Sequence, residues 1–423
     1  MVAKRVLGIE ATTPPPGPLR RLAAGTLTSA VGNGAWYTSW AIFLTHSVGL
    51  SPAEVGIGMT IAGICGVAAA TPLGWVADRI GAREMFGALL ALQGLAACAY
   101  ALVHGMATFL IVTCIAQAGS SGAGGPRNAL VLGLSDRDEK LEVLGQLRAI
   151  SHIGWALGAV IGGAIISINS GPGYLGLVLL NGGTYLVYAL LVATTPRVTV
   201  PAQAAARSGL RVLRDRPYVS LAGLMGVLAL CWAMLSSGLP LWVTLHTHAP
   251  PAISAIVVLI SSLGIAAFQV QVSRGIKTPR LAATGTVLSG CALAASCVLF
   301  ALTAGGGGIV VIATMLIAAG LHLLGELLFV ASSWGLSVPL MPPDAPGEYQ
   351  GVFATGQAVA LMAAPVLMTT LIAGWGQPGW IVLALIFLLP AVAAIPVTQW
   401  AIRTRAGYAR TARTAASIAS ARS

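Results

Sequence analysis

The sequence predicts an all-α membrane protein with twelve transmembrane helices arranged as two six-helix bundles. Three observations carry that prediction. Of the 423 residues, 57% are apolar and only 8% are charged, with a mean hydropathy of +0.86; an ordinary soluble domain has roughly 25% charged residues. The apolar residues gather in long segments, not in the short alternating runs of about ten residues that build a membrane barrel. The basic residues all fall between alternate segments. A fold of this size in water needs a charged skin that this chain lacks, which excludes a cytoplasmic enzyme, a nucleic-acid-binding domain and a disordered chain.

In chain order the apolar segments cover residues 23–46, 55–77, 85–104, 108–132, 150–170 and 173–193, then 219–245, 252–273, 281–303, 309–336, 352–373 and 379–400. Each is long enough to cross about 30 Å of hydrocarbon, which takes about 20 helical residues. Residues 1–22 form an N-terminal tail. It holds Lys4, Arg5, Glu10 and the run Pro14-Pro15-Pro16, with neither the short apolar core nor the cleavage site of a secretory leader. Residues 23–194 make the first bundle, 195–217 a central linker, 218–400 the second bundle and 401–423 a basic tail. The stretch Leu213-Arg214-Asp215-Arg216-Pro217 suits either a short helix lying on the membrane surface or a plain tether. Cys65, Cys98, Cys114, Cys231, Cys291 and Cys297 all sit inside apolar runs without a CxxC pair or a nearby histidine, so they read as small core residues. No metal site and no cofactor is expected.

The halves show faint self-similarity, Leu50-Ser51-Pro52-Ala53-Glu54 before the second segment answering Ala249-Pro250-Pro251-Ala252-Ile253 before the eighth. With twelve crossings both tails lie on one side. All 23 lysines and arginines then fall on that side, from Lys4 and Arg5 through Arg79, Arg83, Arg137, Arg207 and Arg274 to Arg422. The positive-inside rule places that side in the cytoplasm. A helix count wrong by one would scatter these charges.

The turn between the second and third segments reads Gly74-Trp75-Val76-Ala77-Asp78-Arg79-Ile80-Gly81-Ala82-Arg83. Gly74 admits a neighbouring helix at close range. Asp78 can cap a backbone turn or pair with a cation where its helix leaves the bilayer. Gly81 permits a tight reversal, and Arg79 and Arg83 anchor the turn. This pattern, G-x-x-x-D-R-x-G-x-R, resembles the signature of the major facilitator superfamily, and with the six-plus-six division and basic linker the resemblance spans essentially the whole chain. It implies the fold of that superfamily and alternating access, in which two bundles rock about a central cavity. It further implies that Gly74, Asp78, Arg79, Gly81 and Arg83 form a conformational latch with Asp78 as acceptor. Arg127 is its local partner, or else merely snorkels to the headgroups.

Among such proteins the chain is most similar to drug–proton antiporters, with two departures. Their G-x-x-x-G-P-x-x-G-G stretch of helix five appears here as Gly154-Trp155-Ala156-Leu157-Gly158-Ala159-Val160-Ile161-Gly162-Gly163, with Ala159 at the proline position. Glycines at this spacing also serve close helix packing. Their arginine deep in helix four is replaced by Arg127 nearer the helix end. The superfamily's cavity is lined by helices one, four, seven and ten, so Asn33, Trp36, Tyr37, Gln117, Ser120, Trp232 and Ser236 are candidate ligand contacts. Arg148 and His152 form a further polar pair facing the vestibule. Each of these could instead serve helix packing or interfacial anchoring.

Eleven of the twelve acidic residues lie in tails, loops or helix ends. The exception is Glu326, deep in the tenth segment, with His322 four residues earlier on the same helical face. Intramembrane ionisable groups are functional candidates, so Glu326 is expected to carry a coupling proton with His322 tuning it, a structural carboxyl being the alternative. No G-x-x-x-x-G-K-[S/T] nucleotide loop and no catalytic constellation is found, so a gradient must supply the energy. The expectation is a monomeric secondary transporter of the cell membrane, exporting a small organic compound against protons. The alternative is a proton- or cation-coupled importer of a nutrient. The partners are the small-molecule substrate, the proton and the lipid bilayer, with no nucleic acid.

Overall fold

The structure is a computed structural model that describes residues 14, 16–136, 139–168, 171–198 and 211–420. It contains twelve long helices and, among the described residues, no strand. They are α1 (Pro18–Ile42), α2 (Pro52–Ile80), α3 (Ala82–Ala99), α4 (Met106–Leu134), α5 (Lys140–Ile168) and α6 (Gly171–Ala193), followed by α7 (Arg216–His246), α8 (Ala252–Gly275), α9 (Pro279–Ala301), α10 (Gly308–Leu340), α11 (Pro346–Met368) and α12 (Gln377–Ser420). Eleven of these are long and apolar enough to cross a membrane. The exception is α1, which is diluted by Thr26, Thr28, Ser29, Asn33, Thr38 and Ser39.

Local chemistry sets the helix ends. Ser51 and Glu54 close a reciprocal capping box at α2: the Glu54 amide donates to Ser51 Oγ at 3.2 Å, and the Ser51 amide to Glu54 Oε2 at 2.8 Å. The counterpart Ala249–Ile253 has no such pair of side chains. Gly81, at φ 107°, makes the one-residue reversal between α2 and α3. Within α7, Met234–Gly238 widens into a π-turn just ahead of Pro240, whose ring cannot accept a regular turn before it.

Two boundaries differ from the hydropathy reading. Helix α5 begins at Lys140, ten residues before the apolar segment. Val143, Leu144 and Leu147 are buried there, but Lys140, Glu142, Gln146 and Arg148 are interleaved with them, so the stretch is helical without being uniformly apolar. Helix α12 runs on through the basic tail to Ser420, over a stretch rich in alanine and arginine that favours helix. Lys4, Arg5, Arg137, Arg207 and Arg422, and most of the linker, lie outside the described residues.

The first bundle packs α1 on α5 and α6, α2 on α4, and α3 on α4 and α6; the second packs α9 on α10 and α12, α7 on α11 and α12, and α8 on α10. The glycines of α5 explain the α1 contact. A Cβ at Gly158 would lie 2.1 Å from Val31 O, one at Gly162 2.6 Å from Ala35 O, and one at Gly154 2.6 Å from the Ala30 methyl. Close packing therefore accounts for that run without a proline. The second bundle has a continuous core around Tyr218, Met225, Trp242, Phe300, Phe329 and Trp380. The bundles meet where α2 and α4 face α11 and where α5 faces α8.

Candidate functional site

The seam between the bundles is fastened in the half of the molecule that carries the basic loops. Asp78, near the end of α2, accepts hydrogen bonds from the Gly347 and Glu348 amides at 2.7 Å each. These are donors of the first turn of α11, where helical amides lack internal partners and the helix dipole favours an anion. Gly74, one turn earlier, makes the approach possible: a Cβ there would lie 2.2 Å from Gly347 O, and one on Gly347 would lie 2.4 Å from Gly74 O. Further along the seam the Thr71 and Thr355 hydroxyls are 2.6 Å apart, Asn128 Nδ2 donates to Gln350 Oε1 at 3.2 Å, and Arg274 of α8 pairs with Glu142 of α5.

The remaining motif residues serve the turn itself. Arg79 lies over the Trp75 ring, 3.3 Å from its centroid. Arg83 pairs with Glu84 at 2.9 Å and donates to Thr195 O at 2.9 Å, tying the α2–α3 turn to the end of α6. Arg127, half-buried two turns inside the end of α4, does not partner Asp78. The amides of α11 occupy the carboxylate instead.

Near the middle of the seam lies a buried ion pair. Arg148 of α5 donates from Nη2 to Glu326 Oε1 of α10 at 2.5 Å, with side chains 15% and 5% exposed. Ser261 Oγ of α8 approaches Glu326 Oε2 at 3.5 Å. The Trp232 ring of α7 lies 5.6 Å from the guanidinium carbon. His322 is fully buried, its Nε2 2.9 Å from Cys231 O and its Nδ1 3.9 Å from Glu326 Oε2. A carbonyl can only accept, so Nε2 carries a hydrogen and Nδ1 of the neutral ring is an acceptor. The structure thus brings Arg148, which the sequence presented with His152, to the pair Glu326 and His322. His152 stands one turn from Arg148 on α5, half-buried.

The other cavity candidates scatter. Asn33 Oδ1 accepts from the Tyr185 hydroxyl at 2.9 Å, a bond within the first bundle. Trp36 packs against Phe43 and Tyr100, at 5.7 and 5.2 Å between centroids. Tyr37 is exposed and meets Trp155 edge-on. Gln117 packs against α2 at Gly66. Ser120 and Ser236 are exposed, the latter within the π-turn of α7.

Sequence reasoning missed Ser261, the Cys231 carbonyl and the pairing of Arg148 with Glu326. The last had a usable signal, since two opposite charges each placed inside a membrane helix are expected to find one another. Starting the fifth segment at residue 150 hid it. Also unforeseen is a cluster at the start of α7. Asp215 caps that helix through the Tyr218 amide at 3.4 Å, accepts from the Tyr349 hydroxyl at 3.0 Å and pairs with Arg405 of α12.

Two six-helix bundles fastened along one half of their seam, with an ion pair buried between them, have the fold of a secondary membrane transporter. The comparisons agree. The chain belongs to the Major Facilitator Superfamily, whose family model matches residues 22–365. The structure is similar to a bacterial homologue of the iron transporter ferroportin in an outward-facing state (TM-score 0.73, 15% identity, 91% of this chain and 99% of that one). It is also similar to a proton:xylose symporter (0.68, 13%, 89% and 94%) and to a human organic anion transporter (0.66, 14%, 90% and 100%). At these identities the likeness shows the fold. No curated protein sequence matches the chain.

Proposed function

We propose that this protein is a proton-coupled secondary transporter of a small organic compound, with Glu326 exchanging the coupling proton. The observation that carries the reading is the Arg148–Glu326 pair, in which opposite charges from different bundles meet in a buried site. While Glu326 is ionised the pair holds α5 against α10. A proton on Glu326 discharges it and frees the bundles to part at the basic end. Asp78 on the first turn of α11 is the second fastening, and both of its bonds must break for that end to open. The clustering of basic residues at one end supports a cytoplasmic position for that end and for both termini, so that the structure represents an outward-facing state in the cell membrane.

Structurally similar proteins include proton symporters of xylose and fucose, in keeping with a proton as coupling ion. Export in exchange for protons requires a ligand that competes with the proton for Glu326. Arg148 already occupies that carboxylate, and its guanidinium stays charged at any cellular pH. This supports proton and ligand boarding together, which under an inward proton gradient gives import. The test begins with a panel of radiolabelled compounds scored for uncoupler-sensitive accumulation in cells. Glu326→Gln in proteoliposomes should then abolish pH-gradient-driven accumulation of the compound so found while leaving downhill exchange intact. Gradient-driven transport at the wild-type rate refutes the proposal.

A further inference from the structure

We infer that the transported compound is a small organic anion with a carboxylate-like group, bound on Arg148 at the same time as a proton neutralises Glu326; the inference rests on the proton-coupled reading above. It follows from the charges and the unpaired polar atoms of the site. Glu326 is faced by Arg148 from α5, by His322 one turn earlier on α10, by Ser261 from α8 and by the Cys231 thiol from α7, with His152 one turn beyond Arg148. Of these only Arg148 is a permanent charge. A proton arriving on Glu326 therefore leaves a lone guanidinium in a poorly solvated site, an arrangement that is strongly unfavourable. An incoming anion restores neutrality and an incoming cation makes the imbalance worse.

The unpaired atoms are arranged for this exchange. Among the described residues, Arg148 Nε, Trp232 Nε1 and His322 Nδ1 are buried without hydrogen-bond partners. They are three of eleven such atoms among the described residues, and these three gather at the ion pair; a buried polar group without a partner calls for an explanation. His322 Nδ1, the acceptor, faces Glu326 Oε2 at 3.9 Å. A protonated Glu326 can turn its O–H to that nitrogen, which the ionised carboxylate cannot use. Arg148 Nε and Trp232 Nε1 are both donors, and Trp232 lies against the same guanidinium. When the proton settles on Glu326, the Arg148–Glu326 bond is released, and Arg148 and Trp232 can present their N–H groups to an anion's oxygens. The arginine is the more exposed member of the pair, at 15% against 5%, and so the one a ligand meets first.

The site is neutral in two states: empty with Glu326 ionised, or loaded with both proton and monoanion. Each ligand then raises the affinity for the other by the same factor. The full chain in nanodiscs allows a direct test. Protonation of Glu326 is followed by infrared difference titration, its band assigned by its absence from Glu326→Gln. The probes are gluconate and benzenesulfonate as anions, tetraethylammonium as cation and mannitol as neutral control. At least one anion should move the midpoint upward by about one pH unit, a roughly tenfold coupling, while mannitol leaves it in place. Arg148→Lys, which keeps the charge but loses the planar fork and Nε, should lose most of this response. Glu326→Gln, neutral at every pH, should bind the effective anion more tightly than wild type at neutral pH and without pH dependence. No response to either anion, or a response to tetraethylammonium alone, overturns the inference. Failure of the underlying reading looks different: no Glu326 band titrates between about pH 4 and 9 under any condition.

Discussion

Replacing Gly74 with alanine should open the basic end of the seam without touching any charge. The new Cβ would sit 2.2 Å from Gly347 O and 2.9 Å from Gly347 C, about 1.2 Å inside the 3.4 Å at which ordinary contact begins. Both are backbone atoms in the first turn of α11, so neither can swing aside as a side chain would. The helices must separate by about an ångström, which also stretches the two 2.7 Å bonds from Asp78 toward the limit of hydrogen bonding. Overpacking costs typically 1–3 kcal/mol and weakened bonds to a charged group roughly another 1–2 kcal/mol. A total of about 2–5 kcal/mol changes the ratio of closed to open seam by roughly 30- to 5,000-fold. Spin labels at Asp136 and Lys277, exposed on different bundles at the basic end, would report the separation by double electron–electron resonance. Gly87→Ala is the control, since its Cβ meets only Val192 Cγ1 at 3.8 Å. Gly74→Ala should lengthen the distance distribution and Gly87→Ala should not; unchanged distances in both would refute the claim that glycine contact sets the seam.

Other substitutions probe separate parts of the molecule. Asp78→Asn should reach the membrane but transport poorly, because an amide faces the α11 donors with a single acceptor and loses about 1.5–3 kcal/mol of charge-assisted bonding; normal transport at normal expression would reduce Asp78 to a topology marker. Gly158→Val should lower the melting temperature markedly, since even its Cβ would overlap Val31 O at 2.1 Å, and an unaltered melting curve would count against the α1–α5 packing. Cysteine labelling of intact cells should reach a cysteine at Thr247, between α7 and α8, and miss one at Lys277; the reverse pattern overturns the orientation.

The legible part of the fold was the part written in local chemistry. Helix count, bundle division and the α2–α3 turn follow from hydropathy, from basic residues confined to alternate loops, and from Gly81 with Asp78. Contacts distant in sequence were not legible. Nothing around Asp78 indicates that its partners are two amides at positions 347 and 348, because backbone donors leave no residue-type signal. Arg127, a side chain of the right charge in the right neighbourhood, was the natural but mistaken partner. The ion pair was half legible. Glu326 stood out as the lone acid in an apolar run, whereas Arg148, though a candidate, was placed at the edge of its helix because hydropathy reads the mixed stretch 140–149 as loop. Asn33 and Trp36 show the converse: polar and aromatic residues on a helix expected to line the cavity turn inward to Tyr185, Phe43 and Tyr100.

Glu348 holds two structures at once. Its amide donates to Asp78 of the first bundle, while its carboxylate accepts from the Val212 amide at the end of the linker, at 2.6 Å. Val212 is fully buried against the second bundle, and Arg211 pairs with Asp344 beside it. The last residues of the connection are therefore part of the second half of the molecule. If the protein were divided into two co-expressed chains, a cut before residue 211 would leave this docking intact in the second fragment. A cut after Asp215 would strip the second fragment of its helix cap and of the partner of Arg405. Packing of the second half of the molecule thus begins by Val212, upstream of the residue at which hydropathy begins the second bundle.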